Sequence, residues 1–285
     1  MEKLQTAIEK ARQKRQGNTP EQAAPAQAKA PVRRPGPGSA TLDSLWDSIP
    51  LCQPSESMLE KNRVVTLKAG KAATPFDILR TKILLQMRQN NWTRLAITSA
   101  TPGSGKTTIA CNLALGLGRQ KDLRAMLFDL DLRRPHASKT LGLNNPHSLR
   151  EVLLGEVPFE EQAMRVGSNV ILSLTNEAAN DPTTILLGDE TQARLDEIQD
   201  QYKPDLMIFD LPPVLVSDDT RAFLNNVDCA LIVARANQTR YGQFDAAEHE
   251  IAEHTNVLGV VLNGSGAGGD DEMSYGGYGY SYGQE

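Results

Sequence analysis

Between Pro75 and Met87 the apolar residues Phe76, Ile78, Leu79, Ile83, Leu84 and Met87 recur at spacings of three and four, which predicts a helix with one buried face. Beyond it, apolar runs at 94–99, 124–130, 169–174, 205–211, 228–234 and 257–262 are rich in Ile, Val and Leu, and helical patterns at 107–119, 184–201 and 241–254 separate most of them. Short apolar runs divided by helices predict a mainly parallel β-sheet with helices on both faces, an α/β domain over residues 42–263. The stretch from Leu42 to Thr66 is less regular. There Trp46, Leu51, Leu59 and the strand-like Arg63–Thr66 lie among turn formers, and they are expected to pack on the domain's edge. No internal repeat is evident.

The two ends follow other rules. Residues 1–16 place Met1, Leu4, Ile8 and Ala11 at helical spacing among Lys and Arg, the pattern of a basic amphipathic helix that is either solvated or docks on a partner or an anionic surface. Residues 17–41 carry Pro20, Pro25, Pro31, Pro35 and Pro37 among Ala and Gln, and are expected to form a disordered linker. Residues 264–285 form a Gly-rich tail expected to be flexible, with Tyr275, Tyr278, Tyr280 and Tyr282 among the chain's six tyrosines.

Charge sharpens this division. Residues 1–40 hold eight basic and three acidic side chains, whereas the remainder holds 22 basic and 32 acidic, so a basic arm precedes an acidic body. An acidic body argues against nucleic acid as a partner. No run reaches the ~18 apolar residues that a membrane-spanning helix needs, and the start is too charged for a signal peptide, so the chain is expected to stay in the cytoplasm. Cys52, Cys111 and Cys229 are odd in number and far apart, which predicts reduced structural thiols.

The chemistry concentrates where Leu95–Ser99 runs into Ala100-Thr101-Pro102-Gly103-Ser104-Gly105-Lys106-Thr107-Thr108 and then into a helix. This is a phosphate-binding loop in its required strand-to-helix setting. Gly103 and Gly105 let the backbone curl so that the N–H groups of Gly103, Ser104, Gly105, Lys106, Thr107 and Thr108 face an anion, Lys106 reaches the β- and γ-phosphates, and the Thr107 hydroxyl holds Mg²⁺. Ala100 stands where the general pattern has its first glycine. Two apolar strands then end in acids, one at Asp129-Leu130-Asp131 and the other at Asp210-Leu211-Pro212-Pro213. In a parallel sheet such ends collect ligands, and the period of two aims Asp129 and Asp131 at one place. Each acid could instead cap the turn that follows it. Arg133 and Arg134 could pair with these acids or contact phosphate. Tyr202 and Tyr241 are expected to be packing residues, and His136, His147, His249 and His254 to be surface or packing residues without metal spacing.

These three motifs in order, with the tyrosine tail, resemble the bacterial tyrosine kinases of capsule and exopolysaccharide synthesis, which use a P-loop NTPase-like fold. The likeness covers roughly residues 73–285 and extends to Arg235 with Thr239 and to Gly259–Asn263. It implies that Lys106 and Thr107 bind ATP with Mg²⁺, that Asp129 and Asp210 hold the metal, and that Asp131 is the base for a tyrosine hydroxyl. It implies Tyr275, Tyr278, Tyr280 and Tyr282 as acceptors, reached between subunits of a self-associating oligomer. It further implies a membrane adaptor of the polysaccharide machinery, docked through residues 1–16 and holding the chain at the inner face of the cell membrane, and a phosphotyrosine phosphatase. In the family the helix before the loop carries E-x-x-R-x-x-R for subunit contacts; the matching frame here reads Thr74, Asp77, Arg80, so only the last position survives. Related partitioning ATPases, which act as dimer switches, carry an extra lysine where this chain has Thr101. That switch, and a nucleotide-binding scaffold without kinase activity, are the alternative readings.

Overall fold

The computed structural model describes residues 39–265. The expected helix over 1–16, almost all of the linker and the tail from residue 266, with its four tyrosines, lie outside the described residues.

In chain order the elements are α1 (Ser39–Ser48), α2 (Glu56–Lys61), α3 (Thr74–Asn90), β1 (Arg94–Thr98), α4 (Lys106–Leu117), β2 (Ala125–Asp129), α5 (Ala137–Leu141), α6 (Leu149–Leu153), α7 (Phe159–Gln162), β3 (Met164–Val166), β4 (Val170–Ser173), α8 (Pro182–Leu187), α9 (Asp189–Tyr202), β5 (Leu206–Asp210), α10 (Asp219–Leu224), β6 (Cys229–Arg235), α11 (Tyr241–Ala252) and β7 (Asn256–Asn263). The strands form one sheet in the order β3-β4-β2-β5-β1-β6-β7, with only β3 antiparallel to its neighbour. Alternate side chains of the central strands enter cores on the two faces, one containing Met126, Phe128, Met207 and Phe209, the other Leu95, Ile97, Leu127 and Ile208. A parallel sheet so covered places every β-to-α loop at one edge, the carboxyl ends of the strands, which is where the functional groups gather.

Four details depart from the sequence expectations. The pattern over 184–201 is two helices, because Gly188 is extended at φ −66° and ψ 136° and separates α8 from α9. Arg63–Thr66 is not a strand: the Asn112 side chain accepts from Val65 N at 2.8 Å and donates to Arg63 O at 3.0 Å, while Thr66 donates to Asn112 O at 2.6 Å, so α4 rather than a sheet neighbour satisfies this backbone. The run over 257–262 is an edge strand with Val260 and Leu262 exposed, since nothing flanks β7 on its outer side among the described residues. Tyr202 is fully buried as expected, but Tyr241 is half exposed on the first turn of α11.

The segment around Trp46 is part of the core rather than a loose edge. Its indole is 1% exposed, donates to Tyr202 O at 2.8 Å, meets the Tyr202 ring edge-on at 6.4 Å and carries the Arg124 guanidinium 5.8 Å above it. Truncation would leave a cavity and an unpaired carbonyl, so Trp46→Ala is expected to cost about 3 kcal/mol of stability in urea denaturation. A loss under about 1 kcal/mol would show that α1 only rests on the surface. All three cysteines are free, Cys111 and Cys229 are buried, and burial pushes the Cys229 thiol up to about 12. No described helix is long and apolar enough to cross a membrane.

Candidate functional site

The phosphate loop leaves β1, which lies between β5 and β6 in the sheet, and its shape depends on two glycines. Gly103 and Gly105 have φ of +78° and +89°, the left-handed region that residues with a Cβ rarely occupy. Gly105 is the N-cap of α4 and no side chain caps the helix there, so the first-turn N–H groups of Lys106, Thr107 and Thr108 have neither an intrahelical nor a side-chain acceptor. The Ser104 hydroxyl is turned inward to Thr101 O at 2.8 Å, which leaves this residue only its backbone N–H to offer an anion.

Register assembles the acids. In the pairing of β2 with β5, Asp129 stands opposite Asp210, so two carboxylates lie side by side at the carboxyl ends of neighbouring strands. Both are essentially fully buried. Asp129 Oδ2 accepts from the backbone N–H of His136 at 3.2 Å and Ala137 at 3.0 Å, where α5 begins, but its Oδ1 and both oxygens of Asp210 have no hydrogen-bond partner. Lys106 Nζ reaches Asp131 Oδ2 at 2.8 Å and Asp210 Oδ1 at 3.6 Å, with only 12% of its side chain exposed. Asp131 also caps its own turn by accepting from Arg134 N at 3.1 Å. Asp129 and Asp131 thus each accept from the backbone that follows them, and Asp131 also pairs with Lys106.

The electrostatics follow from three carboxylates around one ammonium. Burial, with repulsion from Asp210, raises the Asp129 carboxyl well above the usual range, and burial raises Asp210 against the attraction of Lys106. Burial opposes the charge on Lys106, but Asp210 and Asp131 together hold it above its ordinary value. With orphaned carboxylate oxygens beside a cation-poor centre, the chain must take up either protons or a further cation. Hard oxygen donors around such a centre fit Mg²⁺, and the uncapped N-terminus of α4 beside it fits phosphate.

A cleft of about 670 Å³ opens onto Lys106 and Asp131, lined also by Pro102, Gly103, Gly105, Thr107 and Thr108, by Arg133, Arg134 and His136, and by Thr183, Pro212, Pro213, Val216, Ser217 and Asp218. The structure decides one open pairing: Arg133 joins neither Asp129 nor Asp131 but the buried Asp219, through contacts of 2.6 and 3.0 Å, and Thr183 also donates to Asp219 at 2.5 Å. Asp219, from α10, was not legible in the sequence because no motif marks it. Two further residues escaped notice as parts of this site. Arg235 Nη1 donates to Gly103 O at 2.7 Å and Asn263 Nδ2 to Ser104 O at 2.8 Å, so the carboxyl ends of β6 and β7 hold the loop by its carbonyls. Among the histidines, His136 lines the cleft, and His254 stands with Glu250 and Glu253 on the surface.

Comparisons with known proteins agree with this geometry. Residues 91–272 match the ParA family, described as NUBPL iron-transfer P-loop NTPase. Tyrosine-protein kinase YwqD of Bacillus subtilis (strain 168) is 30% identical over 223 residues, which cover 77% of this chain and 92% of YwqD. Tyrosine-protein kinase etk of Escherichia coli (strain K12) is 29% identical over 198 residues, 69% of this chain but 27% of etk, so the chain spans about a quarter of that longer relative. The solved kinase domain of Escherichia coli tyrosine kinase ETK superposes with a TM-score of 0.63 at 26% identity, over 75% of this chain and 82% of that one.

Proposed function

The chain belongs to the ParA family of P-loop NTPases and to the bacterial tyrosine-protein kinases, and from that premise we propose that it is an ATP-dependent tyrosine autokinase whose acceptors are Tyr275, Tyr278, Tyr280 and Tyr282. The observation that carries this reading is the grouping of Lys106, Asp129, Asp131 and Asp210 around an uncapped helix N-terminus.

Phosphoryl transfer needs the phosphates positioned, their charge neutralised and the nucleophile aligned. The N–H groups from Gly103 to Thr108 cradle the phosphates, and Lys106 moves from its acids to the β- and γ-oxygens. Thr107, Asp129 and Asp210 hold Mg²⁺, which when bound neutralises charge on the phosphates. Asp131 lies at the Lys106 ammonium on the open side of the cleft, where it accepts the tyrosine proton as the hydroxyl oxygen bonds to the γ-phosphorus. The fold alone would serve a switch ATPase equally well. The cluster of tyrosines distinguishes a kinase, because it supplies an acceptor that a switch has no use for.

Wider roles rest on the family resemblance. We place the kinase in exopolysaccharide or capsule production, with a membrane adaptor engaged through residues 1–16 and a phosphatase that resets the tail. Asp131→Asn is expected to slow tail phosphorylation by about 10²-fold or more, the usual contribution of a positioned base, while nucleotide affinity in equilibrium titration changes little. Equal losses of affinity and rate would make Asp131 a binding residue and reassign the base.

A further inference from the structure

We propose that a second cavity, beside the catalytic cleft, binds an arginine side chain of a polypeptide whose tyrosine enters that cleft, an inference that rests on the kinase reading above for the tyrosine and on the cavity's own chemistry for the arginine. The cavity measures about 770 Å³. Thr183 lines the cleft, whereas Asp181 and Thr184 line the second cavity, so one stretch of chain at the start of α8 is the wall between them. The loop that leads into this wall is pinned to the strand end that carries the catalytic acids. Thr175 Oγ1 donates to Asp129 O at 3.1 Å, Ser138 Oγ to Thr175 O at 2.8 Å, and Ala179 N to Leu132 O at 2.8 Å. A side chain seated in the cavity is therefore held at a fixed place relative to Asp129 and Asp131.

Two amides give the cavity its chemistry. Asn145, only 3% exposed, spends its nitrogen on Gln162 O at 3.0 Å, and Asn176 spends its nitrogen on Asn145 O at 2.7 Å. Both residues line the cavity, and the Oδ1 of each is buried without a hydrogen-bond partner among the described residues. Buried acceptors left in this way are costly, and a donor from outside the chain satisfies them.

Charge selects the donor. Glu177 and Asp181 lie exposed on the lining, while its basic groups are already engaged: Arg150 pairs with Glu156 at 3.1 Å, and His147 lies 3.7 Å from Glu151. A guanidinium carries five N–H donors in a planar fork and no acceptor, so it can serve both amide oxygens and a carboxylate at once. A cavity of this size takes a ligand as large as a few residues of peptide. With one wall between the two spaces, the arginine and the tyrosine belong to a single bound segment and stand within about six residues of each other, which span about 20 Å when extended.

The first test needs no catalysis. The ¹⁵N-labelled full chain is titrated with the end-blocked tripeptide Gly-Arg-Gly, and the NMR signals of Asn145, Asn176 and residues 177–181 are expected to shift saturably. Binding is expected to be about tenfold weaker when citrulline replaces the arginine, and equally weakened by Glu177→Gln at its exposed position. Shifts spread over the whole acidic surface, or equal affinity for citrulline, overturn the proposal. The second test presents tyrosine peptides with one arginine at each of about six positions on either side, together with ATP and Mg²⁺. One position or two adjacent ones are expected to lower KM by about fivefold or more at unchanged kcat, and Glu177→Gln to erase that preference while arginine-free peptides react alike with both proteins. Arginine that binds the cavity yet changes KM at no position overturns its placement beside the acceptor. If neither a peptide nor the tail gains phosphate, the kinase reading falls and the tyrosine half of the proposal with it, and the tripeptide titration decides the arginine half by itself.

Discussion

Lys106→Met is expected to abolish tail phosphorylation, with a fall of about 10³-fold or more, because one side chain serves the bound and the free states of the site. In the free protein its ammonium lies 2.8 Å from Asp131 and 3.6 Å from Asp210 and holds three clustered carboxylates together. With nucleotide bound, the same ammonium neutralises the transferring phosphate. Methionine fills the stem's volume and supplies no charge, so Asp129, Asp131 and Asp210 lose the cation they share. The loss of catalysis should therefore come with a loss of stability of about 3 kcal/mol in the metal-free protein. Lys106→Arg is not expected to rescue it, since the planar guanidinium cannot occupy the place of a compact ammonium that contacts two carboxylates. Phosphate on the tail by mass spectrometry and urea denaturation of the same preparations read the two effects separately. A variant with normal stability and near-normal rate would remove Lys106 from the mechanism.

Asp210→Asn should move the same two quantities in opposite directions. Both oxygens of Asp210 are buried without a hydrogen-bond partner opposite Asp129, and the Lys106 ammonium at 3.6 Å is shared with Asp131, an arrangement that costs folding energy until a second cation arrives. The amide removes a buried charge, so the metal-free variant is expected to be more stable by about 1 to 3 kcal/mol while the kinase is lost. The sign of the pH dependence follows from the raised carboxyl. A group whose folded pKa lies above its unfolded value destabilises the folded state once pH exceeds the unfolded value, and that penalty grows until pH passes the folded one. The stabilisation by Asn is therefore expected to be largest at alkaline pH and to fade as pH drops toward the ordinary carboxylate range near 4. Millimolar Mg²⁺ should stabilise the wild type and leave the variant unchanged, which narrows the gap. A thermal melt showing the variant less stable than wild type at pH 8 without Mg²⁺ would contradict this account of the site.

Sequence periodicity located the central strands because each is a short apolar run closed by a polar group with a role, as in β2 ending at Asp129 and β5 at Asp210. The phosphate loop was legible for the same reason: Gly103, Gly105 and Lys106 are required by backbone curvature and phosphate charge at fixed spacing. What was not legible depends on contacts between distant segments. Asn112 binds the 63–66 backbone from the middle of a helix, and no local pattern distinguishes that from a solvated Asn. Asp219 reads as an ordinary acid at the start of a short helix, yet its burial against Arg133 and Thr183 fixes one wall of the cleft. Arg235 and Asn263 belong to stretches that resemble the family, but nothing local in the sequence shows that either touches the loop. Their contact with the loop comes from strand order, which sets β6 beside β1 and β7 beyond it. The exposure of Val260 and Leu262 has the same origin, since an apolar run reads alike in the middle of a sheet and at its edge.

The central claim is that this cleft transfers phosphate to the tail tyrosines. The most direct test is peptide mass spectrometry of the purified full chain, freed of prior phosphate and incubated with ATP and Mg²⁺. The account predicts phosphate on Tyr275, Tyr278, Tyr280 or Tyr282, absent without Mg²⁺ and absent in Lys106→Met. ATP bound or hydrolysed with no phosphate on any tail tyrosine would contradict it and leave the fold serving as a nucleotide switch.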